Sequence, residues 1–117
     1  MDIRETEMKV LEILWEKGPL PANKLYKILE GTVGWKRSTT YTVLNKCIEK
    51  KFIEREEPGF ICRPLIERSN VQEAKISDLL STFFGNSKKS FLKAFLKGES
   101  LTDKEIQELK DMVDRLK

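Results

Sequence analysis

A group of hydroxyl and amide side chains shares one face of a predicted helix, and this face could form hydrogen bonds with the bases of DNA. Residues 36–50 have helical spacing, and their apolar positions fall on one side. The opposite side carries Ser38, Thr39, Tyr41, Thr42 and Asn45. Hydroxyls and amides can bond to base edges or phosphates, and a Thr methyl group can contact the methyl group of thymine. This face is therefore a candidate reader of DNA sequence.

Positive side chains flank this polar face. Lys36 and Arg37 stand at the start of the predicted helix and Lys46 stands near its end. We expect them to contact phosphates, which fix the position of a protein on DNA without reading its sequence. A polar helix face is usually just solvated, so the face alone does not establish DNA binding. The net charge of the chain, +3, is compatible with nucleic-acid binding but does not argue for it.

The chain lacks the groups on which most enzymes and metal sites depend. It has no histidine, no glycine-rich phosphate loop and no nucleophile motif. Its two cysteines, Cys47 and Cys62, do not have the spacing of metal ligands. We therefore expect no enzyme activity, no metal and no cofactor. Cys47 is predicted to be a core residue, whereas the exposure and any redox role of Cys62 stay open.

No part of the sequence is typical of a membrane or secreted protein. The first residues, MDIRETEM, contain no apolar signal segment. No stretch approaches the roughly 20 apolar residues that cross a bilayer. We therefore expect a cytoplasmic protein that has reduced thiols and no membrane partner.

The elements that would position the polar face begin with three predicted helices. The first runs from Asp2 to Lys17, the second follows Pro21, and the third spans residues 36–50. Residues 52–66 then alternate as two short strands joined by a turn at Glu57-Pro58-Gly59. Three helices followed by a hairpin form the pattern of a winged helix-turn-helix, whose later helix lies in the major groove.

The rest of the chain is predicted to be helical. Capping boxes are predicted at Ser69–Gln72 and Thr102–Glu105, as at Asp2–Glu5 in the first helix. So short a segment cannot bury its many apolar side chains alone, but a two-fold symmetric dimer could cover them. The residues that we predict at the dimer interface are Ile76, Leu80, Phe83, Phe84, Phe91, Leu92, Phe95, Ile106, Leu109, Val113 and Leu116. The predicted fold is mainly α with a small β-hairpin: a winged-helix DNA-binding domain at 1–67 and a helical dimerisation domain at 68–117.

Four segments, taken in order, resemble a known family. They are EMKVLEILW at 7–15, WKRSTTYTVLNK at 35–46, KKFI at 50–53 and LTDKEIQEL at 101–109. With them the chain resembles the penicillinase-repressor family (BlaI/MecI/CopY type) over nearly its whole length. The resemblance implies a homodimer that binds a palindromic operator in double-stranded DNA and represses β-lactamase or related resistance genes.

The resemblance also implies a mode of induction. Members of the antibiotic-sensing branch are inactivated by a sensor-linked protease that cuts the dimerisation domain. Aligned with them, the bond in this chain is Ala94–Phe95, although the family usually has Asn in place of Ala94. Phe95 could equally be only an interface residue. The copper-sensing branch has a C-terminal cysteine cluster, which this chain lacks because no cysteine follows Cys62.

Two departures from the family pattern leave room for another function. Tyr41 stands where antibiotic-sensing members typically have Arg, so we expect a different operator sequence. The predicted wing carries Glu54, Glu56 and Glu57, which would repel phosphates and keep it from inserting deeply. The acidic wing slightly favours an alternative, a winged-helix protein–protein adaptor without sequence-specific DNA binding. The polar face of the third helix favours a DNA-binding repressor, which is our prediction.

Overall fold

The computed structural model describes all residues from Met1 to Lys117. They form six helices and three short strands, which are joined by turns and loops. The helices are α1 (Glu5–Lys17), α2 (Ala22–Val33), α3 (Arg37–Glu49), α4 (Arg68–Phe83), α5 (Lys88–Gly98) and α6 (Asp103–Arg115). The strands are β1 (Leu20–Pro21), β2 (Ile53–Glu56) and β3 (Ile61–Pro64). The predicted fold class, mainly helical with a small β element, is confirmed. None of the helices combines the length and apolar character needed to cross a membrane.

The chain divides into two compact units, residues 1–75 and 76–117. The first unit has a core to which α1, α2 and α3 each contribute apolar residues at helical spacing. The fully buried members from these helices include Val10, Leu11, Leu14, Leu25, Leu29, Leu44 and Cys47. Each buried Leu contributes about 1.5–3 kcal/mol relative to an exposed one. This core holds α3 with its polar face outward.

The start of α1 differs from the prediction. The helix begins at Glu5, and the backbone N–H of Arg4 donates to the Glu7 carboxylate at 2.8 Å. The capping box predicted at Asp2–Glu5 is therefore wrong by two residues. Gly34 follows the C-terminal end of α2. It takes the left-handed conformation, with φ of +71°, and so ends the helix before α3.

The sheet has three antiparallel strands in the order β1-β3-β2, so the predicted hairpin is confirmed and a third strand is added. Leu20 and Pro21 form β1, which pairs with Cys62 and Ile61 of β3. A two-residue strand is too short to produce an alternating pattern, which is why the sequence did not reveal it. Pro64 lies at the end of the central strand, beyond the reach of β1, so its missing N–H costs no pairing on that side.

The second unit consists of the end of α4 together with α5 and α6. Ser87 caps α5 by accepting the N–H of Ser90 at 3.0 Å. Thr102 and Glu105 form the predicted capping box of α6, with both bonds at 3.1 Å. The unit has defined helix ends but no interior, because none of residues 76–117 is buried.

Candidate DNA-binding surface

The polar face predicted from the sequence is the outward face of α3. Lys36, Arg37, Ser38, Thr39, Thr42, Asn45 and Lys46 are exposed, and Tyr41 is half-buried. The opposite face of α3 is buried in the core through Thr40, Val43, Leu44 and Cys47. The eight residues predicted to contact DNA therefore lie together, along one helix and the residue before it.

The basic residues around α3 differ in what their charges do. Lys46 lies 3.6 Å from Glu49, and both side chains are exposed, so this pair contributes little and leaves Lys46 available. Lys50 instead lies 2.9 Å from Oε1 of Glu7, whose side chain is only 2% exposed. Its Nζ also donates to the backbone oxygen of Asp2 at 3.1 Å. The charge of Lys50 is therefore used inside the unit.

Arg37 links α3 to α2. Its Nη1 donates to Oδ1 of Asn23 at 3.1 Å, and its Nη2 donates to the Tyr41 hydroxyl at 3.3 Å. Its guanidinium carbon lies 5.6 Å from the ring centre of Tyr26 and 4.9 Å from that of Tyr41, as in cation–π pairs. The exposed guanidinium is thus held in one place, at the N-terminal end of α3.

Sequence reasoning missed Asn23 and Tyr26. Their spacing of three residues on the non-apolar side of α2 is a weak signal that they share a face. The Tyr26 hydroxyl donates to Oε2 of Glu30 at 2.6 Å, and this bond is the main cause that raises the pKa of Tyr26. The bond to Glu30 thus orients the Tyr26 ring, which lies beside Arg37.

The hydroxyl of Thr42 has a partner within the helix. It donates to the backbone oxygen of Ser38 at 2.9 Å. The methyl group and the remaining lone pair of the oxygen stay free for an external contact. Thr42 is therefore suited to touch a thymine methyl group or to accept a hydrogen bond, more than to donate one.

The acidic wing is largely neutralised by its own arginines. Arg63 bonds both carboxylate oxygens of Glu56, at 2.7 and 3.3 Å, and Arg55 bonds Glu57. These hydrogen bonds lower the pKa of Glu56 and of Glu57. Only Glu54 has no ion-pair partner in the wing. We expected three free carboxylates to repel phosphates and to keep the wing from inserting deeply into DNA. Because two of them are paired, the repulsion is reduced to about that of one carboxylate.

These features define a class of protein. Three helices with the third facing outward, followed by a hairpin joined to a strand between the first two helices, form a winged helix-turn-helix. A solution structure of the DNA-binding domain of the repressor BlaI is similar, with a TM-score of 0.55 and 27% identity, over 59% of this chain and 87% of that one. The prediction of a winged-helix fold is confirmed.

The sequence relatives identify the family. The model of the family described as penicillinase repressor matches residues 3–115. The penicillinase repressor of Bacillus licheniformis is 27% identical over 98% of this chain and 91% of its own length. The methicillin resistance regulatory protein MecI of Staphylococcus aureus (strain N315) is 23% identical over 97% of this chain and 94% of its own. The chain belongs to the penicillinase-repressor family, and it is a DNA-binding transcriptional repressor and not an enzyme.

Proposed function

We propose that the protein is a homodimeric repressor that binds a palindromic operator and controls a β-lactamase gene or a related resistance gene. The relatives named as penicillinase repressor and methicillin resistance regulatory protein support the proposal that the regulated gene is a resistance gene. The observation that carries the proposal is the polar face of α3, on which every residue except the half-buried Tyr41 is exposed while Thr40, Val43, Leu44 and Cys47 on the opposite face are buried.

Different residues of this surface have different roles in the proposal. Lys36, Arg37 and Lys46 contact phosphates, which hold α3 in register. Ser38, Thr39, Tyr41, Thr42 and Asn45 face base edges in the major groove. Because Arg37 is already restrained by Asn23 and Tyr26 of α2, it loses less side-chain freedom when it meets its phosphate.

The proposed homodimer forms through the second unit, as part of a dimerisation domain at 68–117 that follows a DNA-binding domain at 1–67. Phe83, Val113 and Leu116 are 73%, 54% and 86% exposed in the single chain. An apolar groove of about 770 Å³ lies between α5 and α6, lined by Leu92, Leu96, Leu101, Ile106, Leu109 and Val113 among others. A second copy of the chain would cover this surface by two-fold symmetry. The interface residues in the proposal are those predicted from the sequence, to which the groove adds Leu96 and Leu101.

Induction in the proposal is proteolytic. The bond Ala94–Phe95 lies within α5, and both residues are exposed in the single chain. Cutting it would separate residues 95–117, the end of α5 and all of α6, from the rest of the chain, and with them every lining residue of the groove except Leu92. A bond within a helix must open locally before a protease can cut it, so cleavage would be slow unless a dedicated protease acts.

The DNA-binding surface can be tested with three variants of the full chain. An operator is first selected from randomised duplex DNA, and binding to it is compared with binding to the DNA upstream of the protein's own gene. Thr42→Ala should cost about 1–3 kcal/mol of discrimination at one base pair. Lys46→Ala should weaken binding to all sequences alike and lower the salt dependence by about one phosphate contact. Lys97→Ala, in the second unit, is the matched control for Lys46.

The result that would contradict the proposal is equally specific. If Thr42→Ala and Lys46→Ala both bind the selected DNA as the unaltered chain does, α3 does not contact DNA. If no sequence is enriched from the random pool, the chain has no operator and the adaptor function becomes the better explanation.

A further inference from the structure

Tyr41 is the one residue of the polar face that is not free in solvent. Its ring packs edge-on against the ring of Phe60, with centres 5.6 Å apart and planes at 85°. Its hydroxyl accepts from Arg37, whose guanidinium also lies over the Tyr41 ring. The side chain of Tyr41 is thus held from two sides, by Arg37 of α3 and by Phe60 of the wing.

Phe60 is itself firmly placed. Its backbone has a φ of +48°, its oxygen accepts the N–H of Ala22 at 2.9 Å, and its N–H donates to Glu57 at 3.2 Å. The guanidinium carbon of Arg55 lies 3.7 Å from the centre of its ring. Phe60 therefore joins the wing to the start of α2 through its backbone and to α3 through its side chain.

We propose that Phe60 is a positioning residue for operator specificity, which fixes the orientation of Tyr41 and so decides which base pair Tyr41 favours. The inference rests on the proposed function, in which Tyr41 faces a base. A Tyr side chain has two rotatable bonds, and the Phe60 ring and Arg37 restrict both. A base-contacting side chain that is already held in its binding orientation loses less conformational freedom on binding. It also discriminates more strongly against a wrong base. Phe60 needs no contact with DNA for this effect.

The test is a double-mutant cycle on the full chain, with Phe60→Asn and Tyr41→Ala. Asn tolerates the left-handed backbone of residue 60 and removes the ring. Phe60→Tyr keeps the ring and is the matched control. The selected operator and its single-base variants are the probes, and the readout is the affinity ratio between the best and the next-best base at each position. Urea unfolding confirms that each variant is folded, and Phe60→Leu replaces Phe60→Asn if the latter unfolds.

We expect Phe60→Asn to reduce the affinity ratio about fivefold or more at the same base position that Tyr41→Ala affects. Phe60→Tyr should retain most of the ratio. In the Tyr41→Ala background, Phe60→Asn should have no further effect on the ratio, because its action passes through Tyr41. A merely structural role would lower stability and overall affinity without changing the base preference.

Three results would overturn the inference in different ways. If Tyr41→Ala changes the base preference and Phe60→Asn does not, Phe60 does not position Tyr41. If Phe60→Asn acts equally in both backgrounds, Phe60 touches DNA directly. If Tyr41→Ala leaves every base preference unchanged, the proposed role of Tyr41 itself is wrong, and Tyr41 serves only to pack the wing against α3.

Discussion

The carboxylate of Glu7 connects the start of α1 to Lys50, at the end of α3, in the first unit. Its Oε1 accepts from the Arg4 N–H at 2.8 Å and from Lys50 at 2.9 Å, whereas its buried Oε2 has no partner. A buried charge with one unmet oxygen depends strongly on the partners that it does have. Lys50, which directly follows α3, is thus a structural residue and not one of the basic residues proposed to contact DNA.

Replacing Lys50 should therefore be costly. We expect Lys50→Met to lower the free energy of unfolding by about 3 kcal/mol, because the buried Glu7 carboxyl would lose the cation that it pairs with. The matched control is Lys46→Met, which breaks an exposed pair with Glu49 and should cost at most about 1 kcal/mol. Urea unfolding of the full chain measures both. Equal losses of unfolding free energy would show that the buried Glu7–Lys50 pair stabilises the fold no more than the exposed Lys46–Glu49 pair.

The two thiols make stability depend on pH in the alkaline range. Burial raises the pKa of Cys47 to about 12 and that of Cys62 to about 11. In the unfolded chain both thiols titrate near the ordinary pKa of 9.0. Above about pH 9 the unfolded state therefore binds fewer protons than the folded state, and stability falls as pH rises toward 11.

Each thiol should contribute a slope of at most about 1.4 kcal/mol per pH unit in that window. The control is the double variant Cys47→Ala, Cys62→Ala, in which all other groups titrate as they do in the unaltered chain. Urea midpoints from about pH 8 to about pH 11 give the difference between the two proteins. A difference that does not change with pH would mean that the thiols are accessible in the folded state. Both are fully buried, so an alkylating reagent should label them only after unfolding.

At the scale of elements, helix periodicity could be predicted from the sequence and helix starts only in part. The capping box at Thr102–Glu105 was predicted correctly from its three-residue spacing, but the same spacing at Asp2–Glu5 predicted a box that does not form. The starts of α1 and α4 use other acceptors, Glu7 and Asn70, and the box predicted at Ser69–Gln72 is wrong. The contacts of Arg37 with α2 and of Tyr41 with Phe60 join residues of separate elements, which no local pattern reveals.

The caps provide a matched pair of variants. Thr102→Ala should lower the free energy of unfolding by about 1 kcal/mol, because the N–H of Glu105 loses its acceptor. Ser69→Ala should change it by less than about 0.5 kcal/mol, because Ser69 is exposed and does not cap α4. Urea unfolding at one fixed protein concentration compares them. A larger loss at Ser69 than at Thr102 would reverse this assignment of the caps.

At the scale of the whole molecule, the second unit is the part in which no residue of the single chain is buried. Glu99, Lys110 and Asp114 also line its apolar groove, so the test is to replace one of the apolar lining residues by a charged one, which should oppose the proposed association. Val113 lines the groove, whereas Lys93 is exposed on α5 and does not line it. The proposed homodimer predicts that Val113→Asp sediments as a monomer at concentrations at which the unaltered chain sediments as a dimer. Lys93→Asp, a larger change in charge, should stay dimeric.

The same variants connect assembly to repression. A dimer holds two half-sites at once, so the second contact forms at high effective concentration and tightens binding by about a hundredfold or more. Val113→Asp should lose this factor on the full palindrome and keep unchanged affinity for an isolated half-site, because α3 is untouched. A cut at Ala94–Phe95 removes α6 and should have the same signature, which intact-mass measurement on protein from antibiotic-treated cells would connect to derepression. If half-site affinity falls as much as full-site affinity, the groove supports the fold of the DNA-binding unit and not dimerisation. Derepression while the chain stays whole would exclude the proteolytic route.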